Sequence, residues 1–199
     1  PTSVSLALDP ANPGHFFACC GLFELAARLY PEATAHYGGN RFIIHAPTTL
    51  ADLFGTIQNA PIIPLDHDDA DPPLSMGSPF YVRLDWWKNT NRTTSALQAW
   101  KSDPRTCADV IAHSMQKAIE LGDGENVLFA TRVTYDVKDG AKKVEPFYFD
   151  ANRAPNSVAR DVGFSCNDLK LKTPAAPAVE LLTLIGLQRS IPRPVGNRF

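Results

Sequence analysis

Seventeen prolines cut this 199-residue chain into short pieces, and their placement constrains the fold more than any other feature. Pro13 stands at the first position of a predicted helix, with Asn12 before it as the cap. Ala18, Leu22, Leu25 and Leu29 then recur at helical spacing, Glu24 and Arg28 form an i,i+4 pair on the other face, and Pro31 ends the helix. Ahead of it, Ser3–Leu8 alternates Val4, Leu6 and Leu8 with small residues and predicts a strand that stops at Asp9-Pro10.

The same punctuation continues along the chain. Ala33–His45 reads as a hairpin around Gly38-Gly39-Asn40, with Phe42 and Ile44 on one face, and Thr48 or Thr49 caps a short helix over Leu50–Ile57. Residues 59–79 mix Pro61, Pro64, Pro72, Pro73 and Pro79 with Asp66, Asp68, Asp69 and Asp71, which predicts a loop or linker. Phe80–Trp87 follows as a strand with an apolar face (Phe80, Val82, Leu84, Trp86) and a face carrying Tyr81, Arg83, Asp85 and Trp87. Helices are expected at Ser95–Lys101, Arg105–Leu121 and Ala178–Leu187, and a strand pair at Val127–Asp136 and Val144–Phe149 through the Asp139-Gly140 turn. Antiparallel strand pairs interspersed with helices give an α+β fold rather than a doubly wound sheet. One domain over 1–199 is expected, with 59–79 as the place where two lobes would divide, and there is no internal repeat.

Hydrophobic residues at 44% and charged residues at 20% exclude intrinsic disorder. Glu24 and Arg28 interrupt the best apolar run and Glu180 and Gln188 bracket the next, so no spanning helix is expected. The net charge of −2 announces no global basic field, but its distribution is uneven. Residues 1–80 carry only Arg28 and Arg41 against eight acidic groups, whereas residues 81–199 carry 17 basic and 13 acidic ones. Cys19, Cys20, Cys107 and Cys166 form neither a zinc pattern nor a disulfide framework, which points to a reduced, cytoplasmic protein.

Signatures of catalysis are missing: there is no G-x-S-x-G, phosphate-binding loop, dinucleotide fingerprint or H-E-x-x-H. His67-Asp68 resembles a metal-binding pair but lies among prolines and aspartates without further spaced ligands, so an acidic solvated loop is the plainer reading and no metal or cofactor is expected. Two runs suit a polynucleotide. Trp86-Trp87-Lys88-Asn89, followed by Arg92, can stack bases and contact phosphate, unless Trp86 packs in the core with Trp87 over its edge. Asn152, Arg153, Asn156 and Arg160 form the densest set of donors, suited to phosphate or guanine, unless the two arginines pair internally with Asp150 and Asp161. Lys170 and Arg189 are the nearest remaining basic candidates.

Four stretches, taken in order, resemble a CRISPR-associated family: Asp9-Pro-Ala-Asn-Pro-Gly-His-Phe-Phe-Ala-Cys-Cys-Gly-Leu-Phe-Glu-Leu25, Leu84-Asp-Trp-Trp87, Pro146-Phe-Tyr-Phe-Asp150 through Asn152-Arg153, and Glu180 through Gly186-Leu-Gln-Arg189. They are similar to the small subunit family of subtype I-U, renamed I-G, in the Csb and Csx series. The resemblance implies a non-catalytic subunit of a Cascade effector with a role like that of the large subunit in other type I systems. Its implied partners are guide RNA, target DNA beside the protospacer, the backbone and guide-processing cap subunits, and a recruited helicase-nuclease. Because guide pairing supplies most sequence specificity, such a protein needs only a short flanking readout and backbone grip. The alternative is a purely structural assembly subunit that touches no nucleic acid.

Overall fold

The computed structural model describes residues 3–65, 72–87, 108–130, 132–133, 146–151 and 174–190. Alternation of Val4 and Leu6 with small residues produces strand β1 (Ser3–Ala7), apolar side inward. The Asp9 carboxylate accepts the Ala11 N–H at 2.9 Å, a turn that delivers Asn12 to the cap of helix α1 (Pro13–Leu29). Strands β2 (Thr34–Gly38) and β3 (Arg41–His45) form the expected hairpin, with Gly39 at φ 61° taking the left-handed turn position. β3 lies between β1 and β2, pairing antiparallel with Val4 opposite Ile44 and Leu6 opposite Phe42. Helix α2 (Leu50–Asn59) is capped by Thr49, whose hydroxyl accepts the Asp52 N–H at 3.1 Å.

The segment expected to be a linker supplies two strands. β4 (Ile62–Pro64) and β5 (Leu74–Met76) join β6 (Val82–Leu84) in a second antiparallel sheet, and Ile62, Leu74, Met76, Val82 and Leu84 are buried. Three-residue strands beside prolines carry too little alternation to be seen in sequence; burial against the core decides them. The strand expected over Phe80–Trp87 keeps its alternation only to Leu84. A turn at Trp86–Trp87 then exchanges the faces, so Trp87 is fully buried and Trp86 half-buried, the reverse of the alternative in which Trp86 packs in the core with Trp87 over its edge.

Helix α3 (Ala108–Ala118) buries Ile111 and Met115 as its stripe predicts, and Gln116 Nε2 donates to the carbonyls of Ile57 and Ala60, closing the end of α2. Gly124–Phe129 is a 3-10 helix rather than the start of a strand. Strand β7 (Arg132–Val133) pairs with β8 (Pro174–Ala175); of the partner strand expected over 144–149 the described residues 146–149 have no regular structure, and the Asp139-Gly140 turn lies outside the described residues. The helix expected at Ser95–Lys101 lies outside the described residues.

Helix α4 (Pro177–Gly186), extended by a 3-10 turn over Leu187–Arg189, is buried at every residue from Pro177 to Gly186, as a helix apolar on nearly every side must be. It crosses α1 backbone to backbone: a Cβ on Gly21 would strike the Leu182 carbonyl, and one on Gly186 the Phe17 carbonyl. The architecture is α+β, with buried apolar residues of both three-stranded sheets and of the four described helices in one continuous cluster. Among the described residues no helix is long and apolar enough to cross a membrane.

Candidate nucleic-acid interface

A carboxylate inside an apolar helix must find donors. Glu180, fully buried in the first turn of α4, accepts the Phe149 N–H at Oε2 and the Asp150 N–H at Oε1, both at 3.3 Å. Asp150 in turn accepts from Asn12 Nδ2 at 2.6 Å, and Asn12 Oδ1 accepts the N–H groups of Gly14 (2.9 Å) and Ala151 (3.2 Å). Three successive amides, 149 to 151, are therefore fixed by two buried side chains. Beside them His15 accepts the Asp9 N–H at Nδ1, 3.0 Å, and meets Phe129 edge-on. Burial pulls the His15 pKa below its usual value against the opposing pull of the Asp150 and Asp9 carboxylates, in keeping with a neutral ring whose Nδ1 accepts. Thr183 Oγ1 completes the cluster by donating to the Gly14 carbonyl at 2.8 Å.

One turn further along α4, the Leu184 carbonyl accepts the Trp86 indole N–H at 2.9 Å. One turn beyond that, Gln188 and Asp85 exchange two hydrogen bonds, backbone to amide and amide to carboxylate, each 3.1 Å. Positions 180, 184 and 188 share one helical face. That face holds residues 149–150 at one end and 85–86 at the other, and the two donor-rich runs, 88–92 and 152–160, follow these stems in sequence. Distant segments of the chain meet here: Asn12 with Asp150, Asp150 with Glu180, Trp86 with Leu184.

The burial of Trp87 corrects its candidacy. With no exposed surface, packed edge-on to Trp86 at 5.6 Å, its ring offers no face to a base. Trp87→Ala is expected to cost about 3–5 kcal/mol of stability, as large core deletions do, measured by urea unfolding.

Arg189 is exposed, but its Nε and Nη2 grip Glu24 side-on at 2.8 and 2.9 Å, and Glu24 also binds Arg28, which donates to the carbonyls of Phe80 and Tyr81. The guanidinium predicted to meet phosphate is thus committed to an intramolecular pair. Burial pushes the Glu24 pKa up, but the hydrogen bonds from Arg189 and Arg28 outweigh it and hold the carboxyl below its ordinary value. A folded pKa below the unfolded one stabilises above the ordinary value of 4.5, and the contribution disappears as pH falls through the folded value. Glu24→Gln is expected to lower the Tm modestly at neutral pH, where the pairs contribute, and to leave the acid end nearly unchanged, which flattens the acid side of a Tm-against-pH curve.

Lys88, Asn89, Arg92, Asn152, Arg153, Asn156, Arg160 and Lys170 lie outside the described residues, as do His67-Asp68, Cys107 and Cys166. Cys19 packs as a hydrophobe, its thiol pushed up to about 12 by burial and by Cys20. Among the described residues no group of three or more His, Cys, Asp or Glu could hold a metal ion. A shallow groove of about 500 Å³ between α2 and the Ser78-Pro79 turn contains none of the candidate residues.

Comparison with protein-family models, curated proteins and solved structures finds no match to this chain. Its own residues therefore carry the functional case. Sequence reasoning took Asn12 for a cap alone and did not single out His15, Glu180 or Thr183. The signal that could have found the last two is a carboxylate and a hydroxyl inside an otherwise apolar helix, which demand partners from distant segments.

Proposed function

We propose that this chain is a non-catalytic subunit of a type I CRISPR Cascade effector, helping to hold guide RNA and target DNA beside the protospacer in antiviral defence. The observation that carries the proposal is the shared mounting of the two stems on α4. Phosphate and base contacts fix the register of a nucleic acid only when their donors sit on rigid supports. Here residues 149–151 and 85–86 are tied to one buried helix by Glu180, Leu184 and Gln188, so the donor-rich runs that follow each stem start from a common frame. With Trp87 buried and Arg189 paired to Glu24, the proposed contacts are Arg153, Asn156 and Arg160 with Asn152, and Lys88, Asn89 and Arg92, with Lys170 as a further cation.

The test is the salt dependence of target-DNA binding in the assembled complex. Arg153→Ala and Arg160→Ala are each expected to reduce the log–log slope by about 0.9, the value of one lost duplex phosphate contact. An unchanged slope in a complex that still assembles rejects the proposal. A purely structural assembly subunit is the second reading, favoured by exposed Phe16 and Tyr37, stacked 5.4 Å apart. Crosslinking separates the two: label on RNA or DNA supports the first, and label on protein alone the second. Expression with the neighbouring genes, followed by copurification, tests membership of a guide-RNA complex.

A further inference from the structure

The two three-stranded sheets have four edges, and three of them are blunted. β1 lies against the 3-10 helix of Gly124–Phe129, β4 contains Pro64 and packs against α3, and β6 carries Arg83 paired to Asp85. β2 ends its sheet with none of these devices: it holds no proline, lysine, arginine or carboxylate, and four of its five residues are exposed. The hairpin fixes which backbone groups are left over. Only Gly39 and Asn40 separate Gly38 from Arg41, so that pair is hydrogen-bonded, as are His36 with Ile43 and Thr34 with His45, which follow in alternation. The Leu8 N–H, donating to the Asn40 carbonyl at 2.9 Å on the other side of β3, keeps the same phase. The N–H and C=O groups of Ala35 and Tyr37 therefore point away from β3, and among the described residues no hydrogen bond reaches these backbone groups. A row of donors and acceptors at this spacing is satisfied by another strand.

We propose that β2 pairs antiparallel with β2 of a second copy of this chain, about a two-fold axis at His36, joining the two sheets into one. In that register Ala35 stands opposite Tyr37 of the partner subunit and exchanges both backbone bonds with it, and the two-fold repeats the exchange, so every leftover donor and acceptor is used. Sizes match as well: the Tyr37 ring meets an alanine, and Thr34 meets Gly38 of the partner subunit. Ala35 and Tyr37 lie on the same side of the sheet as buried Phe42 and Ile44. The exposed Phe16 ring, stacked on Tyr37 at 5.4 Å, continues that apolar side toward the second copy, and the Tyr37 hydroxyl fixes the pair by donating to the Phe16 carbonyl at 3.1 Å. A strand without lysine, arginine or carboxylate can face itself, whereas a charge at the axis would meet its own like. The inference does not rest on the Cascade reading.

The experiment is sedimentation equilibrium of the full chain between about 1 μM and 1 mM, the range of weak association, with folding of each variant checked by its melting curve. The expected result is a reversible equilibrium between monomer and dimer. Ala35→Pro removes an outward N–H and leaves the bonds to β3 in place, so it should melt near the wild-type temperature and weaken dimerisation by about tenfold. His36→Lys and His36→Glu should each weaken it by about fivefold, and an equimolar mixture of the two should associate more tightly than either alone, because opposite charges then meet across the axis. A chain that stays monomeric throughout, even where the edge captures a strand of another protein, overturns the inference. So does a dimer unmoved by Ala35→Pro or by the charges at position 36, or a mixture that associates no better than its components. The salt slope of target-DNA binding in Arg153→Ala and Arg160→Ala tests the Cascade reading separately, so either can fall without the other.

Discussion

Gly186→Ala is expected to unfold much of the population at room temperature or to lower its urea midpoint severely. The new Cβ would overlap the Phe17 carbonyl, and Gly21→Ala would do the same to the Leu182 carbonyl. The obstructing atoms are backbone, so relief requires the two helices to separate, and each helix is otherwise packed. Overpacking of this kind costs about 1–3 kcal/mol where side chains can yield and more where they cannot, out of a typical total of about 5–15 kcal/mol. Gly55→Ala is the matched control. It lies inside α2 with nothing within 4 Å of the added carbon, and should stabilise by about 0.5–1 kcal/mol through helix propensity. A Gly186→Ala protein that unfolds cooperatively at the wild-type midpoint would show that α1 and α4 do not cross where they are described.

The second large effect concerns the buried cluster. Glu180→Ala strands the N–H groups of Phe149 and Asp150 away from water, at about 1–3 kcal/mol for each donor left without a partner. Asn12→Ala removes the α1 cap, worth about 1 kcal/mol, and also the acceptor of the Ala151 N–H and a donor to Asp150. Both variants should lower the urea midpoint and speed hydrogen exchange at the amides of 149, 150 and 151, with less change at β3. Unchanged exchange at those amides in Glu180→Ala would mean that α4 does not brace this stem, and the proposed mounting of residues 152–160 would lose its basis.

What the sequence made legible was local. Asn12-Pro13, Gly39 and Thr49 act within a few residues of themselves, so α1, the β2–β3 hairpin and α2 could be placed from spacing and turn chemistry. The α+β class followed from the interspersed strand pairs and helices. What was not legible depended on distant partners. β4 and β5 are decided by their pairing and by the core beneath them, and Gly124–Phe129 turns in a 3-10 helix where its apolar residues suggested a strand. Which of two adjacent tryptophans goes inside is decided by the turn that follows Leu84, beyond the reach of alternation. Glu180 shows the same limit: its partners lie some thirty residues away, and the side chain that supports them, Asn12, lies 138 residues from Asp150.

The α1–α4 crossing also has a consequence for biosynthesis. Roughly 150 residues separate the end of one helix from the start of the other, so at translation speeds of about 5–20 residues per second α1 emerges on the order of ten to thirty seconds before its mate. During that interval Leu22, Leu25 and Ala18 have no permanent cover. The nascent chain is in that interval a natural client for ribosome-associated chaperones, and a message broken ahead of the codon for Pro177 would yield a product prone to aggregation.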